Sequence, residues 1–486
     1  MLLLGIDVGT SSIKVSVVDA QSQQCLASAQ YPDSESEIKS LQPGWAEQAP
    51  GMWWDHVQQA IRRVGTSVNT KDIGAIGIAY QMHGLVVVDK DQNVLRDSII
   101  WCDSRAVPYG EKAFQAIGCD TCLSTLLNSP GNFTAAKLAW VKEAEPQVYQ
   151  QIDKVMLPGD YIAMKLTGEV TTSASALSEG IFWDFKKDSV SKDVLQHFDF
   201  SPSLIPLVSN VFADHGRLKK EVADLLGLTE GIPVTYKAGD QPNNALSLNV
   251  LQPGEVAATA GTSGVIYGVS DQLTFDKESR VNTFAHVNYT GSDKRLGVLL
   301  CINGTGILNR WVRDTVAPGI PYGQINQEAA SVPVGSNGLR ILPFGNGAER
   351  MLNNRILGAQ VHGLDFNVHT RAHLFRAAQE GIAFAFRYGL DIMRENGMNP
   401  RVIRAGKANL FLSPVFAEAF VNATGVPVEL YPCDGSVGAA IGAGIGAKAF
   451  KNEQEAFRNI KPLQLIEPTQ TDAYNQVYEE WKQLIK

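Results

Sequence analysis

The sequence contains no long hydrophobic run and no excess of positive charge. No stretch of the 486 residues approaches the ~20 consecutive apolar residues that a membrane-spanning helix requires. The first seven residues, Met1 to Asp7, lack a basic region and end in an acid, unlike a signal peptide. Lys and Arg number 42 against 50 Asp and Glu, so the net charge is −8, and no basic stripe is present. We therefore expect a cytoplasmic protein that binds neither a membrane nor nucleic acid.

Cysteine is scarce, and the common motifs of metal and nucleophilic chemistry are absent. Six scattered cysteines do not predict a disulfide framework, and the single CxxC pair, Cys119 and Cys122, is a weak signal without a second pair. The sequence has no HExxH, zinc-ligand spacing, EF-hand loop or Ser-His-Asp order. The Walker A phosphate loop is also missing. A nucleotide would therefore need a different kind of phosphate loop.

The composition is that of a globular protein with buried cores, at 44% hydrophobic and 19% charged residues. Helical and strand-like segments alternate along the chain, which predicts an α/β fold with mainly buried sheets. Clear examples are the amphipathic segment 52–64, the apolar strand 73–80 and the helix 414–424. Glycines at 438, 442 and 446 lie at four-residue spacing in a predicted helix from residue 435, where close helix packing is a better interpretation than a dinucleotide fingerprint.

One pattern occurs twice, about 250 residues apart by the numbering of the chain. A strand, a bend rich in Gly, Thr and Ser, and a returning strand occupy residues 2–18 and again residues 254–269. The bends are Gly9-Thr10-Ser11-Ser12 and Gly261-Thr262-Ser263-Gly264. The repetition predicts two related lobes, residues 1–246 and 247–486, with a hinge near the boundary.

The two bends are candidates for phosphate binding. Glycine lets backbone amides approach a phosphate closely, and Thr and Ser hydroxyls add donors. Asp7 stands beside the first bend, where its carboxylate would repel phosphate unless a cation such as Mg²⁺ lay between them. A plain hairpin turn explains one such bend equally well, but two copies favour a clamp on a polyphosphate.

Three further strand ends carry polar side chains. Asp240 follows an apolar strand, where α/β sheets place ligands, and it could accept a proton from a substrate hydroxyl or merely cap the next helix. Gln81, Met82 and His83 also follow a strand and could bind a polyol. Asp103 and Arg105 could bind substrate hydroxyls or pair with each other. Gly406 ends a strand where an adenine could lie against the backbone.

Together these segments resemble the FGGY family of carbohydrate kinases, within the actin, hexokinase and heat-shock ATPase superfold. The resemblance runs from residue 3 to about residue 450 and keeps the order of the landmarks, which are GIDVGTSSIKV, GWAEQAP, GIAYQMHG, IIWCDSR, NFTAAKLAWV, LPGDYIAMKLTGE, AGDQPNNA, AGTSGV, LPFGNGAER and EGIAFAFRYGLDIM. It implies two actin-like, ribonuclease-H-like lobes around a central cleft, with ATP and Mg²⁺ as cofactors and a homodimer as a possible assembly.

The resemblance also implies roles for individual residues. It assigns Asp240 as the general base, and it assigns metal binding to Asp7 and Asp240. The substrate set is Gln81, Met82, His83, Asp103, Asp240 and Gln241. The nucleotide set is Gly9, Thr10, Ser11, Lys14, Gly261, Thr262, Ser263, Gly406, Lys407 and Asn409. The usual adenosine motif has small residues where this chain has Lys407 and Asn409.

Within the family, Gln81-Met82-His83-Gly84 is similar to members that act on xylulose, whereas glycerol kinases carry Arg-Glu at Met82 and His83. The expected reaction is phosphorylation of a ketopentose, foremost D-xylulose. Two alternatives stay open at this point. The acceptor could be ribulose, fuculose, gluconate or glycerol, or the chain could be a non-enzymatic, actin-like nucleotide switch.

Overall fold

A computed structural model describes residues 1–485 and contains two large β-sheets flanked by helices. The strands are β1 (Leu2–Val8), β2 (Ile13–Asp19), β3 (Cys25–Tyr31), β4 (Glu47–Gln48), β5 (Ile73–Tyr80), β6 (Val86–Val88), β7 (Ser98–Ile99), β8 (Lys154–Met156), β9 (Thr171–Ser173), β10 (Trp183–Asp184), β11 (Ser189–Val190), β12 (Leu207–Ser209), β13 (Val234–Gly239), β14 (Val256–Ala260), β15 (Gly264–Ser270), β16 (Asn282–Ala285), β17 (Leu296–Ile302), β18 (Arg340–Phe344), β19 (Gly358–His362), β20 (Ile403–Gly406), β21 (Val428–Tyr431) and β22 (Gln464–Ile466).

The α-helices are α1 (Pro50–Gly65), α2 (Val107–Ile117), α3 (Cys119–Thr125), α4 (Thr134–Ala144), α5 (Pro146–Tyr149), α6 (Pro158–Thr167), α7 (Ala174–Glu179), α8 (Lys192–Phe198), α9 (Lys220–Leu226), α10 (Asp240–Ser247), α11 (Gly306–Val316), α12 (Tyr322–Ala330), α13 (Arg371–Glu395), α14 (Pro414–Thr424), α15 (Gly435–Gly446), α16 (Glu453–Ala456) and α17 (Thr471–Lys482). Short 3-10 helices cover Thr70–Asp72, Pro202–Leu204, Ser336–Gly338, Arg350–Leu352 and Asn409–Leu412. No helix within the described part of the chain is both long enough and apolar enough to cross a membrane.

The first sheet has five strands in the order β13-β5-β1-β2-β3. β1, β2 and β3 form an antiparallel meander, while β5 and β13 run parallel to β1. Helices α1 and α6 pack on one face, and α15 packs on the other. Because both faces are covered, β5 is apolar and almost entirely buried rather than alternating.

The second sheet repeats this plan. Its central five strands run β17-β15-β14-β20-β21, with three antiparallel strands followed by two parallel ones, and β16 and β22 extend the two edges. Helices α13 and α14 belong to the core of this sheet. The strand order matches that of the first sheet, so the prediction of two related α/β lobes from the repeated hairpin is confirmed.

Two helices connect the sheets. α10 leads from β13 of the first sheet to β14 of the second, and α15 follows β21 of the second sheet but packs on the first. Glycine is required at this contact, since a Cβ on Gly5 would lie 1.8 Å from the carbonyl oxygen of Ser436 and one on Gly77 would lie 2.0 Å from that of Ala439. The glycine-rich helix is therefore a close-packing element, as its spacing indicated.

The predicted element boundaries differ from the structure mainly at α10. The sequence indicated a helix from Ala245, yet the helix begins five residues earlier, at Asp240. Pro242 fits there because the first turn of a helix needs no partner for its missing N–H. This earlier start puts Asp240 at the junction between the strand and the helix.

Candidate active site

The carboxyl ends of three parallel strands bring together residues that are far apart in the sequence. Asp7 lies near the end of β1, Gln81 follows β5, and Asp240 follows β13. In the strand register Asp7 pairs with Ala79, and Gly239 pairs with Tyr80. The three segments therefore meet at one edge of the sheet, which is the edge where α/β proteins bind ligands.

Asp240 is half-buried at this edge and is the first residue of α10. The residue in the N-cap position is Gly239, and no side chain caps the helix. The alternative in which Asp240 only caps a helix is therefore not what the structure contains. Burial, followed by the charge of Asp7, raises the pKa of Asp240 to about 7 against the opposing hydrogen bonds of Gln241.

Asp7 is also half-buried, and burial raises its pKa to about 6. The charge of Asp434 adds to this rise and Lys14 opposes it; the Lys14 ammonium lies 3.7 Å from the Asp434 carboxylate. Because Asp434 adds to the raised pKa of Asp7 and Asp7 adds to that of Asp240, a cation near these carboxylates is favoured, and oxygen ligands suit Mg²⁺. Residues 1–485 hold no cluster of three or more His, Cys, Asp or Glu that would bind a metal by itself. The residues present thus fit Mg²⁺ held together with phosphate and water.

Gln81 is buried and links the end of β5 to the first bend. Its carbonyl oxygen accepts a hydrogen bond from the Thr10 hydroxyl at 3.1 Å, and its amide donates to Gln48 at 3.0 Å. The indole N–H of the half-exposed Trp101 donates to the same Thr10 hydroxyl at 3.0 Å. Gln81 therefore supports the bend as well as lying beside the predicted sugar site.

Met82 packs beside the strand end that precedes Asp240, and His83 follows it in the chain. A Cβ on Gly239 would lie 2.6 Å from Met82 Cγ, so Met82 packs directly against the residue before Asp240. His83 is 16% exposed and packs edge-on against Phe133 with ring centroids 4.8 Å apart. Burial lowers its pKa to about 3, and the charge of Lys137 adds to this effect. His83 is consequently neutral at physiological pH.

Asp103 does not belong to this group, which corrects its prediction as a substrate ligand. Its carboxylate is buried. It accepts a hydrogen bond from the Arg105 guanidinium at 2.7 Å and another from the backbone N–H of Ala46 at 2.6 Å. Arg105 also pairs with Glu47 at 2.6 Å. Asp103 and Arg105 therefore pair with each other, which was the alternative to substrate binding, and these partners occupy both oxygens of the Asp103 carboxylate.

The second bend forms one wall of a cavity of ≈390 Å³ between α11, α12 and the 3-10 helix Asn409–Leu412. Gly261, Thr262 and Asn409 line it, as do Asn309, Arg310 and Asn326, which the sequence reasoning missed. Lys407 lies outside this cavity and lines a separate groove with Glu418 and Glu467. Asn409 therefore lines the same cavity as the second bend, whereas Lys407 does not.

Contacts connect this cavity to the first bend. Gly261 lies near Asn409, and a Cβ on Gly406 would lie 2.9 Å from the Cβ of Cys433. Cys433 is in turn close enough to Asp7 and Lys14 that both charges act on the pKa of its thiol: Asp7 raises it and Lys14 lowers it. Thr262, Ser263 and Ser11 are exposed at the two bends. Asp7 and Lys14 of the first lobe therefore lie near Cys433 and Gly406 of the second lobe.

Two buried groups beside His83 were not among the predicted site residues. Lys137 is fully buried on α4, and its ammonium donates to the carbonyl oxygen of His83 at 2.7 Å. Burial lowers its pKa to about 7. Glu179 is buried at the end of α7 and accepts the backbone N–H of His83 at 2.9 Å. Lys137 falls inside the motif NFTAAKLAWV, whereas the residues around Glu179 form no motif.

Replacing Gly306 with alanine tests whether the cavity binds the nucleotide that the sequence predicts. A Cβ there would lie 2.4 Å from the carbonyl oxygen of Gly261, so the second bend would have to move. Overpacking of this kind costs about 1–3 kcal/mol, which corresponds to a rise of roughly 5- to 150-fold in the KM for ATP. Steady-state kinetics with varied nucleotide will measure it.

The KM of Gly306→Ala for the phosphate acceptor should change much less, because His83 and Met82 lie on the other lobe. Gly323→Ala is the matched control, since a Cβ at this helical position meets no atom within 4 Å. A KM for ATP equal to that of the wild type would contradict the assignment.

Comparison with known proteins identifies both halves of the chain. The family model of the "FGGY family of carbohydrate kinases, N-terminal domain" matches residues 2–247, and the corresponding C-terminal domain matches residues 256–447. Xylulose kinase of Escherichia coli K12 is 28% identical over 95% of this chain and 92% of its own length. Xylulose kinase of Bacillus subtilis 168 is 30% identical over 82% and 79%. The crystal structure of xylulose kinase from Rhodospirillum rubrum superposes with a TM-score of 0.89 at 27% identity, covering 100% of this chain and 98% of that one.

Proposed function

The chain belongs to the FGGY family of carbohydrate kinases, and from this premise we propose that it phosphorylates D-xylulose with ATP to give D-xylulose 5-phosphate and ADP. The relatives named xylulose kinase support this acceptor, since they match most of the chain. The observation that carries the proposal is that the half-buried Asp240 and the neutral His83 follow the adjacent strands β13 and β5 at one edge of the first sheet.

Asp240 is the proposed general base. As the sugar hydroxyl forms its bond to the γ-phosphorus, the bond to the β–γ bridging oxygen breaks and the hydroxyl proton passes to the Asp240 carboxylate. A base with a pKa near the working pH suits this task. The remaining acceleration comes from holding the two reactants in line and from stabilising charge on the phosphoryl oxygens.

We assign the two glycine bends and Lys14 to the phosphates of ATP, and the cavity lined by Asn409 to its nucleoside. Met82, His83 and Gln241 are assigned to the sugar. Asp7 and Asp240 are the residues that would hold Mg²⁺, which when bound would neutralise charge on the phosphates. Closure of the lobes would exclude water and so limit ATP hydrolysis.

ADP release measured with D-xylulose, ribulose, fuculose, gluconate and glycerol tests the acceptor. D-xylulose is expected to give the highest kcat/KM. A higher kcat/KM with another of these compounds would replace the acceptor and leave the kinase class intact. ATP turnover that no sugar changes would instead favour a nucleotide switch, although QMHG and the loop after β13 have no evident use in such a protein.

Removing divalent cations tests the metal. Excess EDTA is expected to reduce sugar-dependent ADP release to the background rate, because the carboxylates of Asp7 and Asp240 would repel the phosphates without a cation between them. Burial is the main cause of their raised pKa values, and neighbouring carboxylates add to it. Added Mg²⁺ should restore the rate. Full activity in EDTA would remove Mg²⁺ from the proposal.

A cytoplasmic location, a homodimer and a lobe boundary between residues 246 and 247 complete the proposal.

A further inference from the structure

Glu179 is a buried carboxylate that the reaction proposed above does not use. Its side chain is 1% exposed, and one carboxylate oxygen accepts the Tyr80 hydroxyl at 2.9 Å. The other oxygen accepts the backbone N–H of His83 at 2.9 Å. The carboxylate also packs against Gly239, whose Cβ, if present, would lie 3.1 Å from it. Glu179 therefore touches the ends of both β5 and β13, the two strands that carry His83 and Asp240.

The backbone of His83 needs such support. Its φ of 63° lies in the left-handed region, which a residue other than glycine occupies at a cost of about 1–3 kcal/mol. Glu179 holds the N–H, while the Lys137 ammonium at 2.7 Å and the Thr134 hydroxyl at 3.3 Å hold the carbonyl oxygen. Both backbone groups of His83 are thus fixed by side chains from α4 and α7.

The imidazole ring is fixed as well. Its Nδ1 lies 3.0 Å from the backbone carbonyl oxygen of Glu179. A carbonyl oxygen can only accept, so Nδ1 carries the proton and Nε2 has a free lone pair. Among residues 1–485, Nε2 of His83 has no hydrogen-bond partner, and the side chain is partly exposed.

We propose that Glu179 is the positioning residue of His83: its carboxylate holds the backbone conformation and its backbone carbonyl oxygen holds the tautomer, so that Nε2 accepts a hydrogen bond from a hydroxyl of the sugar. The site therefore selects an acceptor that presents a hydroxyl at this point and disfavours one that presents a carbonyl or an anionic oxygen. The inference rests on the proposed function for the identity of the sugar. The arrangement of His83 itself does not depend on it.

Glu179→Ala and Glu179→Gln separate positioning from simple stability. The alanine variant is expected to raise the KM for D-xylulose by about 10- to 100-fold, because the His83 N–H loses its acceptor, while the KM for ATP stays within twofold. Glutamine is expected to restore most of the loss, since its amide oxygen can accept the His83 N–H and its NH2 can donate to the Tyr80 hydroxyl. An unchanged KM for D-xylulose in Glu179→Ala, or an equal rise in both KM values, would overturn the proposal.

Tyr80→Phe is the matched second variant, because it keeps the ring that fills the core and removes only the hydroxyl bonded to Glu179. It is expected to raise the KM for D-xylulose by about two- to fivefold, corresponding to the loss of one neutral hydrogen bond. This variant keeps the test decisive if Glu179→Ala fails to fold. A KM for the sugar identical to that of the wild type would count against the link through Glu179.

Nitrogen-15 spectra of labelled histidine give a readout that needs no activity. In the wild-type protein, His83, assigned by its loss in His83→Gln, is expected to carry its proton on Nδ1, and added D-xylulose should shift Nε2. In Glu179→Ala the backbone carbonyl oxygen of residue 179 remains but the His83 N–H loses its acceptor, so the ring signals of His83 are expected to shift or broaden. A proton on Nε2 in the wild type would overturn the inference. If the enzyme phosphorylated no sugar, the proposed function would fail, whereas these spectra would still decide the role of Glu179.

Discussion

Asp240→Asn is expected to lower kcat by about 10²–10⁴-fold, the usual contribution of a general base. Asparagine has nearly the shape of aspartate but cannot take the hydroxyl proton. Binding of D-xylulose, measured by calorimetry without ATP, should stay within a few fold of the wild type because Met82 and His83 are unchanged. Single-turnover measurements will show whether the loss lies in the chemical step.

Asp214→Asn is the matched control. Asp214 is an exposed aspartate of the same lobe, and its pairing with Arg217 at 3.2 Å lies at the surface. Its replacement should leave kcat unchanged. Near-normal turnover in Asp240→Asn would remove Asp240 from the role of base, and equal losses in both variants would point to a general defect.

Gly5→Ala is expected to destabilise the protein strongly, because α15 packs directly against β1 at this position. The new Cβ would lie 1.8 Å from the Ser436 carbonyl oxygen and 2.5 Å from the Ala440 nitrogen, and neither backbone atom can swing aside. Overpacking costs about 1–3 kcal/mol and occasionally more, so we expect a loss near the upper end, about 3 kcal/mol. The midpoint of thermal unfolding should fall by roughly 6–12 °C, as for a domain of about 200 residues.

Gly51→Ala provides the control for that experiment. Gly51 lies in α1, and a Cβ there meets no atom within 4 Å, so alanine should be neutral or stabilise the helix by up to about 1 kcal/mol. Thermal unfolding followed by circular dichroism compares the two variants. A Gly5→Ala protein as stable as the wild type would show that α15 does not press on β1 in solution.

Local sequence patterns predicted much of the fold. The apolar run of β5 was predicted with its observed bounds, Ile73–Tyr80, and so was α14, Pro414–Thr424. Two Gly-Thr-Ser bends revealed the duplication of the lobes because a short turn needs only local residues. The start of α10 at Asp240 was missed because Asn243 and Asn244 are weak helix formers. Their side chains bond to Gly435 and Thr259 at 2.9 Å and 3.1 Å, so contacts far along the chain hold this helix.

Local patterns likewise predicted only some of the site residues. Asp7, His83 and Asp240 follow or end apolar strands, and that position alone indicates a ligand edge. Asp103 also follows such a strand, but its partner Arg105 lies two residues away, and only the structure shows that the pair is closed. Glu179 and Asn309 contact the site through tertiary packing, so neither the spacing nor the composition around them could reveal their role.

Because α15 follows the second sheet but packs on the first, dividing the chain at the lobe boundary would separate two surfaces that bury each other. A product ending at residue 246 would keep all five strands of that sheet but leave the face around Gly5 and Gly77 bare, exposing Leu3, Ala75 and Tyr236 to water. The complementary product would contain α15 but lack the first sheet, on which this helix packs. Each half therefore needs the other to complete its core. Separately encoded halves are expected to be active only when both are produced together and reassemble.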